Sequence, residues 1–311
     1  MIIPIRSACH DLDETKQKEI QLTKASKWIS DGIGLKNRGK YAEALPLFQE
    51  ALEINFKILG NCPTVAVLAI CNLGTCLFHL EQYDEALRNY RKALDIRLVI
   101  CGDRHADTAW SYQNIGMTLN SQHKQDEALT NHRKALGIRL RVFGKYDLST
   151  AQSYDNIGLV LRDQKEYDKA LTSFQKALET RLIQCGHNSI GTANLYQNIG
   201  FVLGHQKKHD EAEQHCQRAL DIRLDFFGDR IEEDTAESYF GIGIVYENQG
   251  KYKEAMEALR QALDIQLEVL GNRHKKVAKT YKRMGTVLTE QSQHAKATAM
   301  HQRALETIFG P

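Results

Sequence analysis

Apolar residues in this chain recur at helical spacing, and the same arrangement returns many times. In the stretch 112–119, Tyr112, Ile115, Gly116 and Leu119 are spaced three, one and three apart and share one face of a 3.6-residue helix. The polar turn SQHKQ follows, then a second apolar stripe of Ala128, Leu129, Ala135, Leu136, Ile138 and Leu140 that stops at Gly144. Strict alternation of the kind a half-buried strand needs is absent, so the pattern predicts paired amphipathic helices. A glycine after the second stripe suits a left-handed cap.

Self-comparison extends that unit along the chain. The glycine of the first helix recurs as Gly32, Gly74, Gly116, Gly158, Gly200, Gly243 and Gly285, with five steps of 42 and one of 43. Ala44, Ala86, Ala128, Ala170, Ala212, Ala255 and Ala297 follow in register, and Gly60, Gly102, Gly144, Gly186, Gly228, Gly271 and Gly310 close the units. The extra residue falls in the loop GDRIEEDT (228–235), where insertion leaves packing alone. Seven helix hairpins are predicted, at about 25–61, 62–103, 104–145, 146–187, 188–229, 230–272 and 273–311. Residues 1–24 extend the first helix, and 25–311 form a single array. Each hairpin must stack on neighbours to bury its apolar face.

The layout resembles the tetratricopeptide repeat (TPR) over residues 25–310. The family's signature falls on Trp28, Gly32, Tyr41, Ala44, Phe48 and Ala51, and again on Tyr112, Ile115, Gly116, Leu119, Ala128 and Ala135. The resemblance implies an all-α fold, a right-handed α-solenoid of seven TPR hairpins. The usual period is 34 residues; the endings ALDIRLVICGDRHADTA (93–109) and ALDIRLDFFGDRIEEDTA (219–236) are similar to kinesin light chain cargo-binding repeats, a 42-residue subclass. The His-Pro pair usual there is absent, although His105 and His274 keep the histidine.

With the recurring glycine numbered slot 8, the core face holds slots 4, 7, 8 and 11, and slot 6 points roughly 150° away. Slot 6 is Asn72, Asn114, Asn156 and Asn198 in four consecutive repeats, then Gly241 and Arg283 in the last two. Asparagine is a poor helix former, so four in register call for a reason. They are plain surface residues, or they hydrogen-bond between repeats, or they hold the backbone of an extended peptide, whose donors and acceptors an amide matches. The resemblance implies the third reading, since TPR first helices line a concave groove and commonly carry asparagine at this slot.

Slots 2, 5, 9, 12 and 13 flank slot 6. They contribute Trp110, Gln113, Met117, Leu159 and Phe201, candidates for anchoring an apolar side chain or for packing on adjacent first helices. Trp28, at slot 4, is expected in the core. Charge enters at Lys279 and Arg283, four apart on one face, a spacing that suits a carboxylate. Both match slots of the carboxylate clamp of chaperone-binding TPR proteins. Gly241, Gln197 and Phe201 replace the rest of that clamp, which argues against a chaperone C-terminus.

Composition removes other classes. A net charge of +2 over 311 residues gives no field for nucleic acid or an anionic membrane. Seven cysteines without a CxxC pair point to reduced thiols and a cytoplasmic location. GLKNRGKY (34–41) approaches a phosphate-binding loop, but Tyr41 stands where magnesium needs Ser or Thr. His205, His209, His215 and Cys216 straddle an interhelix turn and are not expected to hold metal. No cofactor and no catalytic set are predicted. The expected function is a non-enzymatic adaptor that binds an extended peptide, with an apolar anchor and an acidic residue. Two alternatives are a kinesin light chain-type motor–cargo linker and a self-associating TPR fragment of a larger signalling protein. The linker would need a heptad coiled coil, for which the roughly 24 residues before repeat 1 are too few. Self-association would use the C-terminal helix, where Leu305, Ile308 and Phe309 have no next repeat to cover them.

Overall fold

The computed structural model describes residues 5–59, 63–228, 230 and 232–310. The predicted Gly60 and the thiol of Cys62 lie outside them. Among the described residues there are fourteen α-helices and no strand. The chain divides into two compact parts, residues 1–142 and 143–311.

The N-terminal part holds three hairpins. Helices α1 (Ile5–Asn37) and α2 (Tyr41–Leu59), α3 (Pro63–His79) and α4 (Tyr83–Ile100), and α5 (Ala106–Ser121) and α6 (Gln125–Val142) each pair antiparallel, and α2 packs on α3 as α4 packs on α5. The C-terminal part holds four: α7 (Leu148–Asp163) with α8 (Tyr167–Cys185), α9 (Ile190–His205) with α10 (His209–Phe227), α11 (Glu233–Asn248) with α12 (Tyr252–Leu270), and α13 (Lys275–Glu290) with α14 (His294–Phe309).

The slot-8 glycines earn their regularity in packing. A Cβ on Gly158 would lie 2.6 Å from the ring of Phe174, sixteen residues on in the partner helix. The same offset pairs Gly32 with Phe48, Gly74 with Tyr90, Gly116 with His132, Gly200 with Cys216, Gly243 with Leu259 and Gly285 with His301. One helix supplies the hole and the other the knob, so the knob varies while the hole does not. The recurring alanines are buried beside them.

Three further repeats are structural. The interhelix turns put one residue at positive φ in every hairpin: Gly39, Glu81, His123, Lys165, Lys207, Gly250 and Ser292. Only two are glycine, so five turns carry the cost of a left-handed side chain. His105 and His274 cap their helices, each accepting at Nδ1 from the backbone N–H two residues on, at 3.2 Å. That explains why the histidine persists without its proline. In the second helices, buried arginines reach forward: Arg97 donates to Ser111 Oγ at 2.7 Å, and Arg223 donates to Ser238 Oγ. Repeat 6 substitutes Gln266, which accepts from Thr280 at 2.7 Å.

Candidate functional site

In the C-terminal part, the first helices α9, α11 and α13 wall a cavity of about 750 Å³. Its lining includes Gln197, Phe201, Gly204, Gly241, Ile244, Lys279 and Arg283, all from the slots flanking slot 6 or slot 6 itself. A second lobe of about 530 Å³ continues it toward α7 and shares Gln197, Phe201, His205, Gly241, Ile244 and Lys279.

Slot 6 takes part in a recurring rung. Lys36 at slot 12 donates to Asn72 Oδ1 at 2.8 Å, Arg162 at slot 12 donates to Asn198 Oδ1 at 3.4 Å, and Arg283 at slot 6 donates to Glu247 at slot 12 at 3.3 Å. Each rung ties one repeat's slot 12 to the next repeat's slot 6. Between repeats 5 and 6 those positions are Gly204 and Gly241, and the rung is missing. A Cβ on Gly204 would meet nothing within 4 Å. At Gly241 the vacated space holds the Gln197 amide, which a Cβ would approach to 1.9 Å. Gln197 is held from behind, its Oε1 accepting from Arg223 at 3.2 Å.

The charges here are unevenly matched. Arg162 pairs with Asp163 at 2.9 Å, and Lys276 pairs with Glu233 and Glu237. Lys279 has no carboxylate within ion-pair distance among the described residues; its Nζ sits 5.0 Å from the centre of the Phe240 ring. Desolvation by the cavity wall, then the nearby Arg283, lower the Lys279 pKa. Desolvation also raises the Glu247 carboxyl, an effect Arg283 opposes. His205 stacks on Tyr167 at 5.0 Å, and burial followed by Arg162, Arg283 and Lys165 lowers its pKa.

The remaining candidates divide by environment. Asn72 and Asn156 are buried, although the helical wheel turned slot 6 away from the core. The wheel counts only the hairpin partner, whereas neighbouring first helices also cover this flank. Asn114 and Asn198 are half-buried. Asn114 donates to Trp110 O at 3.1 Å, and Asn198 donates to Asp155 at 3.4 Å. Asn72 and Asn198 thus accept from slot 12 of the preceding repeat, and Asn198 donates to its slot 5. Trp110 is half-buried, edge-on to Tyr90 at 6.2 Å with the Arg97 guanidinium 5.0 Å from its ring centre. Gln113 and Met117 are half-buried, with Gln113 Nε2 3.9 Å from the Met117 sulfur. Leu159 is half-buried and Phe201 exposed, the latter beneath the Arg162 guanidinium at 5.3 Å. Trp28, expected in the core, is half-buried with the Lys24 ammonium 4.5 Å from its ring centre.

Sequence reasoning overlooked Gly204, His205 and Lys207 as cavity residues. The signal was present, because Gly204 and Gly241 are the only positions where both ends of a rung lack a side chain. His205, His209 and Cys216 line the cavity but make no metal-ligating group. Among the described residues such a group occurs at Cys101, His105 and Asp107, whose ligand atoms lie within 4.8 Å of one another. His105 Nδ1 there already accepts from the Asp107 N–H. Cys71, Cys76, Cys101, Cys185 and Cys216 are free thiols, and no helix among the described residues is long and apolar enough to cross a membrane.

Tetratricopeptide repeat models match residues 32–61, 64–141, 122–183, 147–225, 191–268 and 234–307. The chain belongs to the tetratricopeptide repeat family. This TPR protein is similar in structure to apo RapI, with a TM-score of 0.73 at 15% identity over 91% of this chain and 97% of that one. BtubC (BKLC) from P. vanneervenii aligns with a TM-score of 0.60 at 19% identity, over 82% of this chain and 92% of that one. The TPR-like repeats of a kinesin light chain candidate from Podosopora anserina give 0.54 at 13% identity, over 65% and 96%. At these identities the likeness is one of fold. Comparison with curated proteins gives no match.

Proposed function

We propose that this TPR protein is a non-enzymatic adaptor, of the 42-residue kinesin light chain-like kind, that binds an extended peptide along its first helices. The observation that carries the reading is the cavity itself: slots 2, 5, 6, 9, 12 and 13 of three consecutive first helices converge on one space that their own side chains do not fill. Half-buried amides at Asn114 and Asn198 supply donors and acceptors for a peptide backbone. Phe201, Ile244 and Leu159 receive an apolar side chain, and Lys279 receives an acidic one. Trp110, Gln113 and Met117 form a comparable amphipathic cluster in the N-terminal part. Asn72 and Asn156, being buried, support the wall on which the peptide lies.

Selection of random peptides on the purified protein tests the reading. Phe201→Ala and Asn198→Ala are expected to weaken a selected peptide at least tenfold with the fold intact by circular dichroism. Unchanged affinity in both variants removes the groove. A motor-linker role predicts co-purification with a kinesin heavy chain.

A second reading, self-association through α14, draws on the exposure of Leu305, Ile308 and Phe309. Light scattering separates the two, because self-association predicts twice the monomer mass and its loss in Phe309→Asp.

A further inference from the structure

The missing rung at Gly204 and Gly241 leaves a cavity whose charge the protein does not balance. The deeper lobe carries Lys207, Lys279 and Arg283 together with His205 and His209, and no carboxylate lines it. With the second lobe included, Arg162, Lys165 and Lys276 join the cations; Arg162 is paired with Asp163, Lys276 with Glu233 and Glu237, and Arg283 with Glu247, which leaves Lys165, Lys207 and Lys279 without a carboxylate within ion-pair distance among the described residues. The whole chain carries only +2, so three unpaired lysines around one depression are a local concentration rather than average composition.

A single carboxylate could neutralise one of these cations and would leave the others facing each other. Lys279 and Arg283 lie one helical turn apart on the same face, and burial, followed by the charge of Arg283, lowers the Lys279 pKa. A phosphoryl group carries about −1.5 to −2 near neutral pH and presents three acceptor oxygens, so it can meet several separated donors at once. The lobe has room for it beside Gly204, where a Cβ would meet nothing within 4 Å, while the Gln197 amide occupies the space at Gly241. Phe201 and Ile244 line the same space and leave an apolar shelf for the chain that carries the group.

We propose that the cavity at Gly204 and Gly241 is a receptor for one phosphorylated side chain of the bound segment, with Lys279 as its principal seat and Lys207 as a flanking donor. This rests on the adaptor reading. Phosphorylation of the partner then switches its attachment on, and the three other rungs, filled by Lys36–Asn72, Arg162–Asn198 and Glu247–Arg283, do not respond to it.

The test is a titration of the full chain with acetylated, amidated Ala-Ala-X-Ala-Ala peptides, X being phosphoserine, glutamate or serine, and with inorganic phosphate, followed by amide NMR shifts. The phosphoserine peptide is expected to bind at least tenfold more tightly than the other two and to move the Gly204, Gly241 and Lys279 amides. Inorganic phosphate is expected to compete at those amides more weakly. Gly204→Glu places a carboxylate in the open lobe and should abolish the phosphoserine preference, as should Lys279→Gln. Gly204→Ala, which meets open space, should retain it within twofold. Equal affinity for glutamate and phosphoserine, inorganic phosphate binding as tightly as the phosphopeptide, or indifference to both variants each overturns the proposal. A selected peptide that responds to Asn198→Ala but not to Gly204→Glu keeps the groove and overturns the phosphoryl receptor. Loss of both responses overturns the groove as well.

Discussion

Arg283 donates to Glu247 across 3.3 Å, from slot 6 of the last repeat to slot 12 of the one before. The Glu247 side chain is only 10% exposed, so its carboxylate holds Arg283 against the wall rather than leaving it to a ligand. Lys279 and Arg283 share a helix face as their spacing predicts, yet only Lys279 has an ammonium without an anionic partner within ion-pair distance.

Releasing Arg283 should therefore strengthen anion binding. Glu247→Gln keeps the shape and removes the charge, and affinity for the phosphoserine peptide is expected to rise three- to tenfold by calorimetric titration, in the range of a charge-assisted hydrogen bond. No change would mean that Arg283 cannot turn into the cavity.

Arg223 links the scaffold to the site. It is 2% exposed and donates to Asn194 at 2.7 Å, to Gln197 and to Ser238. Arg223→Ala strands the buried Ser238 and the half-buried Gln197 and should cost about 3 kcal/mol in urea unfolding. Arg223→Gln copies the Gln266–Thr280 arrangement of the next repeat and should cost about half as much. Equal losses would show that length and charge at this position are immaterial.

The buried and half-buried asparagines should also separate. Asn72 accepts from Lys36 and donates to Leu68 O, both at 2.8 Å. A double-mutant cycle on Lys36 and Asn72 should give a coupling of about 0.5–1 kcal/mol. Asn114→Ala should leave the melting temperature within a degree or two, because Asn114 bonds only within its own helix turn. A melting loss as large as that of Asn72→Ala would contradict this division.

Periodicity made the hairpins legible because each must present an apolar face at 3.6-residue spacing, and the slot-8 glycines marked where helices touch. The interhelix turns were harder to read. Five of seven place a non-glycine residue at positive φ, so no glycine announced them. The wheel resolved core from flank within one hairpin but could not see a second repeat covering Asn72 and Asn156. Lys279 was visible, together with Arg283, as a basic residue on the right face. Its setting was not, because a cavity created by two missing side chains, Gly204 and Gly241, depends on which repeats face each other.

The knob positions yield a prediction in acid. His132 is buried under Gly116, and a Cβ there would be 2.7 Å from its ring. Burial, followed by the charge of Arg139, lowers its pKa from the ordinary 6.5 to about 4. The unfolded chain then binds more protons than the folded one between those values. Stability from this group is complete above pH 6.5, falls as pH drops toward 4, and the total loss is about 3 kcal/mol. Phe174 fills the same position in the next repeat without a titrating group. His132→Phe should consequently match the wild type near pH 7.5 and exceed it progressively below pH 6.5 in urea unfolding. A difference that stays constant from pH 7.5 to 4.5 would show that His132 takes up its proton without leaving its place under Gly116.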